Sequence, residues 1–171
     1  MSSACLGVHS VSFKYDPFGR RIYKSSSAAT SIYAYDLFSL IEETNASGSA
    51  IARYTHGLKI DEPLAMLRSG ATSYYHADGL GSLTSLSNSA GALAQTYTYD
   101  SFGKQTAASG SLTNPFQYTG REFDSETGLY FYRARYYDPS TGRVARSIFS
   151  FLMVTAKLQR LRYHHCTMPR C

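Results

Sequence analysis

Three groups of residues in this chain are of types that could do chemistry. His76, Asp78 and Ser82 bring the residue types of a nucleophilic triad into one short stretch. A triad needs a base held between nucleophile and carboxylate by tertiary structure. Here the residues lie in and around the run Asp78-Gly79-Leu80-Gly81, where an aspartate more commonly accepts local backbone N–H groups. The run also lacks the Gly-Lys-Ser/Thr ending of a phosphate loop. His164, His165, Cys166 and Cys171 could ligate zinc by type, but their spacing does not match the paired ligands of zinc sites, and a disordered tail end is the plainer reading. Glu122, Asp124 and Glu126 alternate toward one face of a strand or turn. They are expected to pair with Arg133 and Arg135 on a neighbouring strand, with a calcium or glycan contact as the functional alternative. None of the three groups identifies a catalytic, cofactor-binding or metal-binding residue.

The elements that must position these residues are repeated. Tyrosines recur at Tyr15, Tyr35, Tyr54, Tyr75, Tyr99, Tyr118 and Tyr137, with gaps of 20, 19, 21, 24, 19 and 19 residues. A period near twenty marks a repeat array and equals two strands of ordinary length plus two turns. Each repeat is therefore read as one β-hairpin. Leu93, Gln95, Tyr97 and Tyr99 alternate with Ala94, Thr96 and Thr98, and Leu129, Phe131, Arg133, Arg135 and Tyr137 alternate with Tyr130, Tyr132, Ala134 and Tyr136. Both patterns have the period of a strand. Ser47-Gly48, Ser69-Gly70, Ala90-Gly91, Ser109-Gly110, Thr127-Gly128 and Thr141-Gly142 punctuate the runs with glycines suited to positive φ. Asp16-Pro17 and Asp138-Pro139 open turns by a different route, through a fixed φ and a carboxylate acceptor. LFSLIEE (37–43) and DEPLAML (61–67) are expected to be strands as well.

Composition supports an all-β chain. The 171 residues include 15 Tyr, 9 Phe and no Trp, with only 17% charged residues, few for a helical surface. The net charge of +5 is unevenly placed. Residues 1–142 carry 11 basic and 12 acidic groups, whereas 143–171 carry six basic groups and no acid. A nucleic-acid surface should spread positive charge over a folded face, so no nucleic-acid partner is expected. Three cysteines outside the repeats, Cys5, Cys166 and Cys171, make no disulfide framework. MSSACLGVHS lacks the basic start and apolar run of a signal peptide. The longest apolar stretch, 148–156, falls short of the roughly 20 residues that cross a bilayer. Residues 147–162 are the one place where a helix is expected.

Several motifs together carry a family likeness. YDPFGR (15–20), YAYD (33–36), YYHADGLGS (74–82), YTYDSFG (97–103), NPFQYTG (114–120) and TGLYFYRARYYDP (127–139) resemble the Rhs/YD-repeat proteins over roughly residues 11–143. The last two look like the Rhs repeat-associated core. The motif residues are Tyr15, Asp16, Tyr35, Asp36, Asp78, Gly79, Gly81, Tyr99, Asp100, Gly120, Gly128, Tyr132, Arg135, Tyr136, Tyr137, Asp138, Pro139 and Gly142. The resemblance implies a β-ribbon that spirals into a hollow shell, in large secreted or cell-surface proteins that include polymorphic toxins. It also implies a C-terminal toxic cargo and a self-cleaving segment of aspartyl-protease type after the YDPxxGR turn. This chain departs there. It has no Asp or Glu after Asp138, whereas aspartyl chemistry needs two carboxylates that share a proton. No catalytic residue is carried over, and the abrupt change of composition suggests a frameshifted or truncated end.

The expectation is an all-β array of antiparallel hairpins forming a curved ribbon, with an irregular or short helical tail. Its parts are a lead-in (1–10), YD-type repeats (11–73), the repeat-associated core (74–143) and a basic tail (144–171) that is disordered or helical. The function expected is a non-catalytic shell segment without cofactor. Its partners are further YD repeats or a toxin cargo domain. The alternative is a module that displays Tyr130 and Tyr132 to a surface glycan or protein. An open ribbon leaves its edges and one apolar face uncovered, so self-association is expected.

Overall fold

The computed structural model describes residues 11–144. The expected helix at 147–162, the three cysteines and the zinc-type residues of the tail lie outside them. Ten antiparallel strands follow one another as a meander: β1 (Ser12–Tyr15), β2 (Arg21–Ser25), β3 (Thr30–Asp36), β4 (Ser39–Thr44), β5 (Ala50–His56), β6 (Pro63–Arg68), β7 (Ala71–Ala77), β8 (Leu83–Asn88), β9 (Leu93–Tyr99) and β10 (Gln105–Gly110). Sequence neighbours are sheet neighbours throughout, so each pair forms by local hairpin closure. β7 runs through residues 73 and 74, where the sequence reading expects repeats to give way to the core. A second antiparallel sheet follows: β11 (Glu122–Asp124), β12 (Leu129–Tyr132), β13 (Arg135–Asp138) and β14 (Arg143–Val144).

The turns explain the repeat. In Asp78-Gly79-Leu80-Gly81-Ser82 the Asp78 backbone exchanges bonds with Ser82 and Gly81, while its Oδ1 accepts the N–H groups of Leu80 and Ser82, both at 2.9 Å. Asp16 and Asp100 repeat this pattern residue for residue, and Asn45 and Asn88 repeat it with an amide oxygen. The fourth residue of each must turn left-handed, and Gly81 does so at φ +81° without the Cβ penalty. A carboxylate with two donors and a glycine three residues on therefore defines one hairpin end. Register shifts adjoin these turns at Lys14/Tyr15, Glu43/Thr44, His76/Ala77 and Leu86/Ser87, and such bulges add twist.

The ribbon is curled around its own C-terminal part. Laid flat, ten strands would span about 43 Å. Yet on the short strand β12, Phe131 packs on Tyr15 of β1 (centroids 5.9 Å apart), while its neighbour Tyr130 donates to the Gly103 carbonyl beyond β9 (3.0 Å). Two ends of the ribbon thus lie on opposite sides of one strand. Leu40, Ala52, Tyr54, Met66, Tyr75, Leu83, Leu86 and Tyr97 form the buried inner face together with Phe116 from the returning chain. The uncovered apolar face expected of an open ribbon is covered here, because residues 112–138 fold back over it.

The continuous strand expected over 129–137 is instead two. The chain reverses at Arg133-Ala134, with Arg133 left-handed at φ +55° and Tyr132 opposite Arg135. Period-two alternation persists through a two-residue turn, so the pattern conceals the break. Tyr118, sixth in the tyrosine series, lies in a 3-10 turn (Tyr118–Gly120) and not in a hairpin strand. LFSLIEE and DEPLAML do supply strands, β4 and β6.

Candidate functional site

The site is the seam where residues 112–138 meet the inner face of the ribbon. Its first half is ionic. Arg21 opens β2 directly after the Asp16 turn, and inward alternation drives it into the core at 2% exposure. Its Nη2 donates to Glu122 Oε2 and its Nη1 to Asp124 Oδ2, each at 2.5 Å. Phe13, Tyr33 and Phe131 surround the guanidinium, with centroids 4.7–5.3 Å away. Lys24, further along β2, reaches Asp124 at 3.0 Å and Glu126 at 2.7 Å. Burial alone would lower the Arg21 pKa, but the carboxylates of Asp124 and Glu122 overcome it and hold the guanidinium well above its ordinary value. Burial pushes the Glu122 carboxyl up, against the opposing pull of Arg21. The acidic triplet thus pairs with β2 and not, as expected from sequence, with Arg133 and Arg135. Arg133 instead joins Arg121 on Asp61 (3.3 and 2.6 Å), and Arg135 is exposed. The reason is the β12–β13 turn, which points Arg133 across the seam.

The second half is neutral and aromatic. Phe116 is met edge-on by Tyr54, His56 and Tyr75 at 5.1, 5.6 and 6.1 Å, with interplanar angles of 83–88°. Such geometry places ring edges on the negative ring face. Asn114 accepts from Tyr75 Oη (2.9 Å), and its amide nitrogen donates to Tyr97 Oη and to the Phe116 carbonyl. The Leu83 N–H donates to the Gln117 carbonyl (3.1 Å), and the Thr119 N–H donates to Ser82 Oγ (3.1 Å). Gly120 presses on Asp61, where a Cβ would stand 2.4 Å from the carbonyl oxygen. Only glycine fits there.

The motif residues divide between turns and seam. Asp16, Asp78 and Asp100 hold turns, and Gly81 supplies positive φ, whereas Gly79 is exposed and does not. Asp36 ends β3 opposite Ser39. Tyr15 and Tyr136 join hydroxyls at 2.7 Å, Tyr35 donates to the Arg21 carbonyl, and Tyr99 to the Leu83 carbonyl, both at 3.0 Å. Tyr132 bonds Thr119 Oγ1, Tyr137 donates to the Phe102 carbonyl (2.7 Å), and Gly128 closes the Asp124 turn. Asp138 binds Ser140 and Thr141 before Gly142, with Pro139 buried. His76 bonds Ser87 while Ser82 serves Thr119, so His76, Asp78 and Ser82 form no triad. Tyr130 is 0% exposed, which makes it packing and not a glycan platform. Sequence reasoning missed Arg21, Asn114 and Phe116. The signal that could have found the first was an arginine at an inward position of a strand, RIYKS, that carries no acid of its own.

The enclosed space at the seam is small. A cavity of about 30 Å³ between Leu40, His56, Phe116, Arg121, Glu122 and Phe131 holds about one water, not a substrate. Among the described residues, no cluster of three or more His, Cys, Asp or Glu could hold a metal ion, and no helix is long and apolar enough to cross a membrane.

Comparison with known proteins agrees with this architecture. The tRNA3(Ser)-specific nuclease WapA of Bacillus spizizenii is 35% identical over 135 residues, covering 76% of this chain and 6% of WapA. The double-stranded DNA deaminase toxin A of Burkholderia cenocepacia is 27% identical, covering 80% of this chain and 12% of the toxin. The chain therefore spans a small fraction of the curated relatives it matches. Among solved structures, TcdB2-TccC3 superposes with a TM-score of 0.59 at 19% identity, covering 78% of this chain and 8% of the other. The Tc holotoxin pore of Photorhabdus luminescens superposes at 0.61 with 20% identity, covering 78% and 7%. These likenesses concern the fold. A curled hairpin ribbon sealed by its own returning segment, together with a match of residues 3–164 to the Teneurin YD-shell family model, shows that the chain belongs to the YD-shell family of Rhs/YD-repeat proteins and is a structural segment of such a shell.

Proposed function

We propose that this segment closes the end of a hairpin-ribbon shell that encloses or presents a C-terminal effector, and that it does so without catalysis of its own. The observation that carries this reading is the seam. One 27-residue return (112–138) ties β1 and β2 to the β9–β10 turn, so it draws the ribbon into a closed curve. The motif residues act as turn formers and seam contacts, and the division at 73 and 74 marks a change of signature within one continuous sheet. Secretion or cell-surface placement follows from the same reading, as do partners in the form of further repeats and a cargo domain. Residues 139–171 contain no Asp or Glu, so this stretch offers no carboxylate pair for aspartyl self-cleavage.

The test is a graft. Residues 11–144 replace the matching segment of Bacillus spizizenii WapA, and the hybrid is compared with WapA in limited trypsin digestion. A shell function predicts an intact, trypsin-resistant body that keeps its nuclease activity. A hybrid cut rapidly within the grafted segment overturns the reading.

A further inference from the structure

Two hairpin ends of the ribbon are built alike and finished differently. At the β1–β2 turn, Asp16 Oδ1 accepts the N–H groups of Phe18 and Arg20, both at 2.9 Å, and the Arg20 side chain completes the arrangement. Its Nε donates to Asp16 Oδ2 (2.5 Å) and its Nη1 to the Leu37 carbonyl (2.6 Å). The guanidinium lies over the Tyr35 ring, 5.7 Å from the centroid. Tyr35 in turn donates to the Arg21 carbonyl (3.0 Å), which fixes the ring between β2 and β3.

The β7–β8 turn repeats the carboxylate and the ring of this cradle but not the arginine. Asp78 Oδ1 accepts from Leu80 and Ser82, and Tyr99 donates to the Leu83 carbonyl between β8 and β9, again at 3.0 Å. Arg20 stands four residues after Asp16. Four residues after Asp78 stands Ser82, whose short side chain accepts the Thr119 N–H. Among the described residues no donor reaches Oδ2 of Asp78, and none reaches Oδ2 of Asp100. The result is an open groove of about 260 Å³ walled by Asp78, Tyr97, Tyr99, Asp100, Ser101 and Tyr118. Two carboxylates and three rings line it, and no basic residue does. Lys104, in the neighbouring turn, is exposed and pairs with neither carboxylate.

We propose that this groove binds a guanidinium, presented by an exposed arginine of another polypeptide, as Asp16 and Tyr35 hold Arg20. Asp78 Oδ2 supplies a charged acceptor, and the Tyr99 and Tyr118 rings, 5.7 Å apart, supply faces that attract a cation. A planar guanidinium can use both at once, which a compact ammonium does less well. Arg21, Arg53, Arg68, Arg121 and Arg133 are engaged with other carboxylates, so none of them is the occupant. The inference stands apart from the shell reading, because it needs only the turns at Asp78 and Asp100.

Titration of the full chain with N-acetyl-arginine amide, followed by amide NMR, tests it. The citrulline counterpart, which keeps the shape and loses the charge, is the control. The arginine derivative should shift the signals of Leu80 and Ser82, whose N–H groups Asp78 holds, and the citrulline derivative should not. Asp78→Asn should weaken binding about tenfold or more, the loss of a hydrogen bond to a charged group. The fold should survive that change, because Asn45 and Asn88 already build the same turn with an amide oxygen. The proposal is overturned if the arginine derivative causes no shifts, if citrulline matches it, or if Asp78→Asn binds as tightly as the unaltered chain.

Discussion

The two halves of the seam hold the same returning segment by opposite means. At β2 the contact is ionic, with Arg21 and Lys24 facing Glu122, Asp124 and Glu126 in a buried cluster. At β5 to β9 it is neutral, with Phe116 among three rings and Asn114 bonded to two tyrosine hydroxyls. Aromatic burial stabilises without demanding a unique partner. A buried ion pair adds little net stability, because desolvation offsets most of the attraction, but removing one member is severe. The difference suggests a division of labour: the aromatic half supplies most of the free energy, and the ionic half fixes which part of the segment meets which strand.

The largest blow to this comparison comes from Arg21→Ala. It strands two carboxylates in the core and should cost about 4 kcal/mol in urea unfolding. If the loss were under about 1 kcal/mol, the ionic half would be ornamental. Phe116→Ala empties the other half and should cost about 3 kcal/mol, with no change in the salt dependence of stability. A shift in salt dependence would show that the halves are coupled.

Alkali acts on the rings. Burial raises the pKa values of Tyr33, Tyr54, Tyr75 and Tyr99 above the ordinary phenol value. Unfolded tyrosines ionise near about 10, so above that pH the unfolded chain sheds protons that the folded chain keeps. Stability is full below about pH 10 and is lost as pH rises through the folded values. Absorbance at the tyrosinate band should therefore rise together with unfolding by circular dichroism. Ionisation well before unfolding would mean that these rings are not enclosed. A smaller effect, about 1 kcal/mol, is expected for Asp100→Ala, which frees two N–H groups of the β9–β10 turn but removes no side chain from the ionic or the aromatic half of the seam. The smallest belongs to Arg135→Ala, which should leave stability unchanged within about 0.5 kcal/mol. A larger loss would restore the pairing with the acidic triplet that sequence alone suggested.

The acid side is more balanced. Partial burial raises the Glu126 pKa, but the hydrogen bond from Lys24, the backbone N–H of Glu126, the Lys24 charge and the Ser125 hydroxyl together outweigh it and lower the value overall. Its share of stability is lost as pH falls through the folded value. Burial raises Glu122, whose contribution has the opposite sign and diminishes as pH rises. Two carboxylates of one cluster therefore partly cancel in acid.

Much of this protein is legible in its sequence, and the reason is locality. A turn such as Asp78-Gly79-Leu80-Gly81-Ser82 is built from bonds that span at most four residues, so residue types and spacing suffice to specify it. Hairpin repeats in a meander add only neighbouring pairings, and the twenty-residue period announces them. Arg21 and Glu122 are 101 residues apart, and nothing local says that they meet. Nor does alternation reveal the reversal at Arg133, because a two-residue turn preserves the period of two. Which face of the ribbon is covered, and by what, depends on the fit of one returning segment against strands along the whole ribbon. That fit exists only once the ribbon has curled, and no window of sequence contains it.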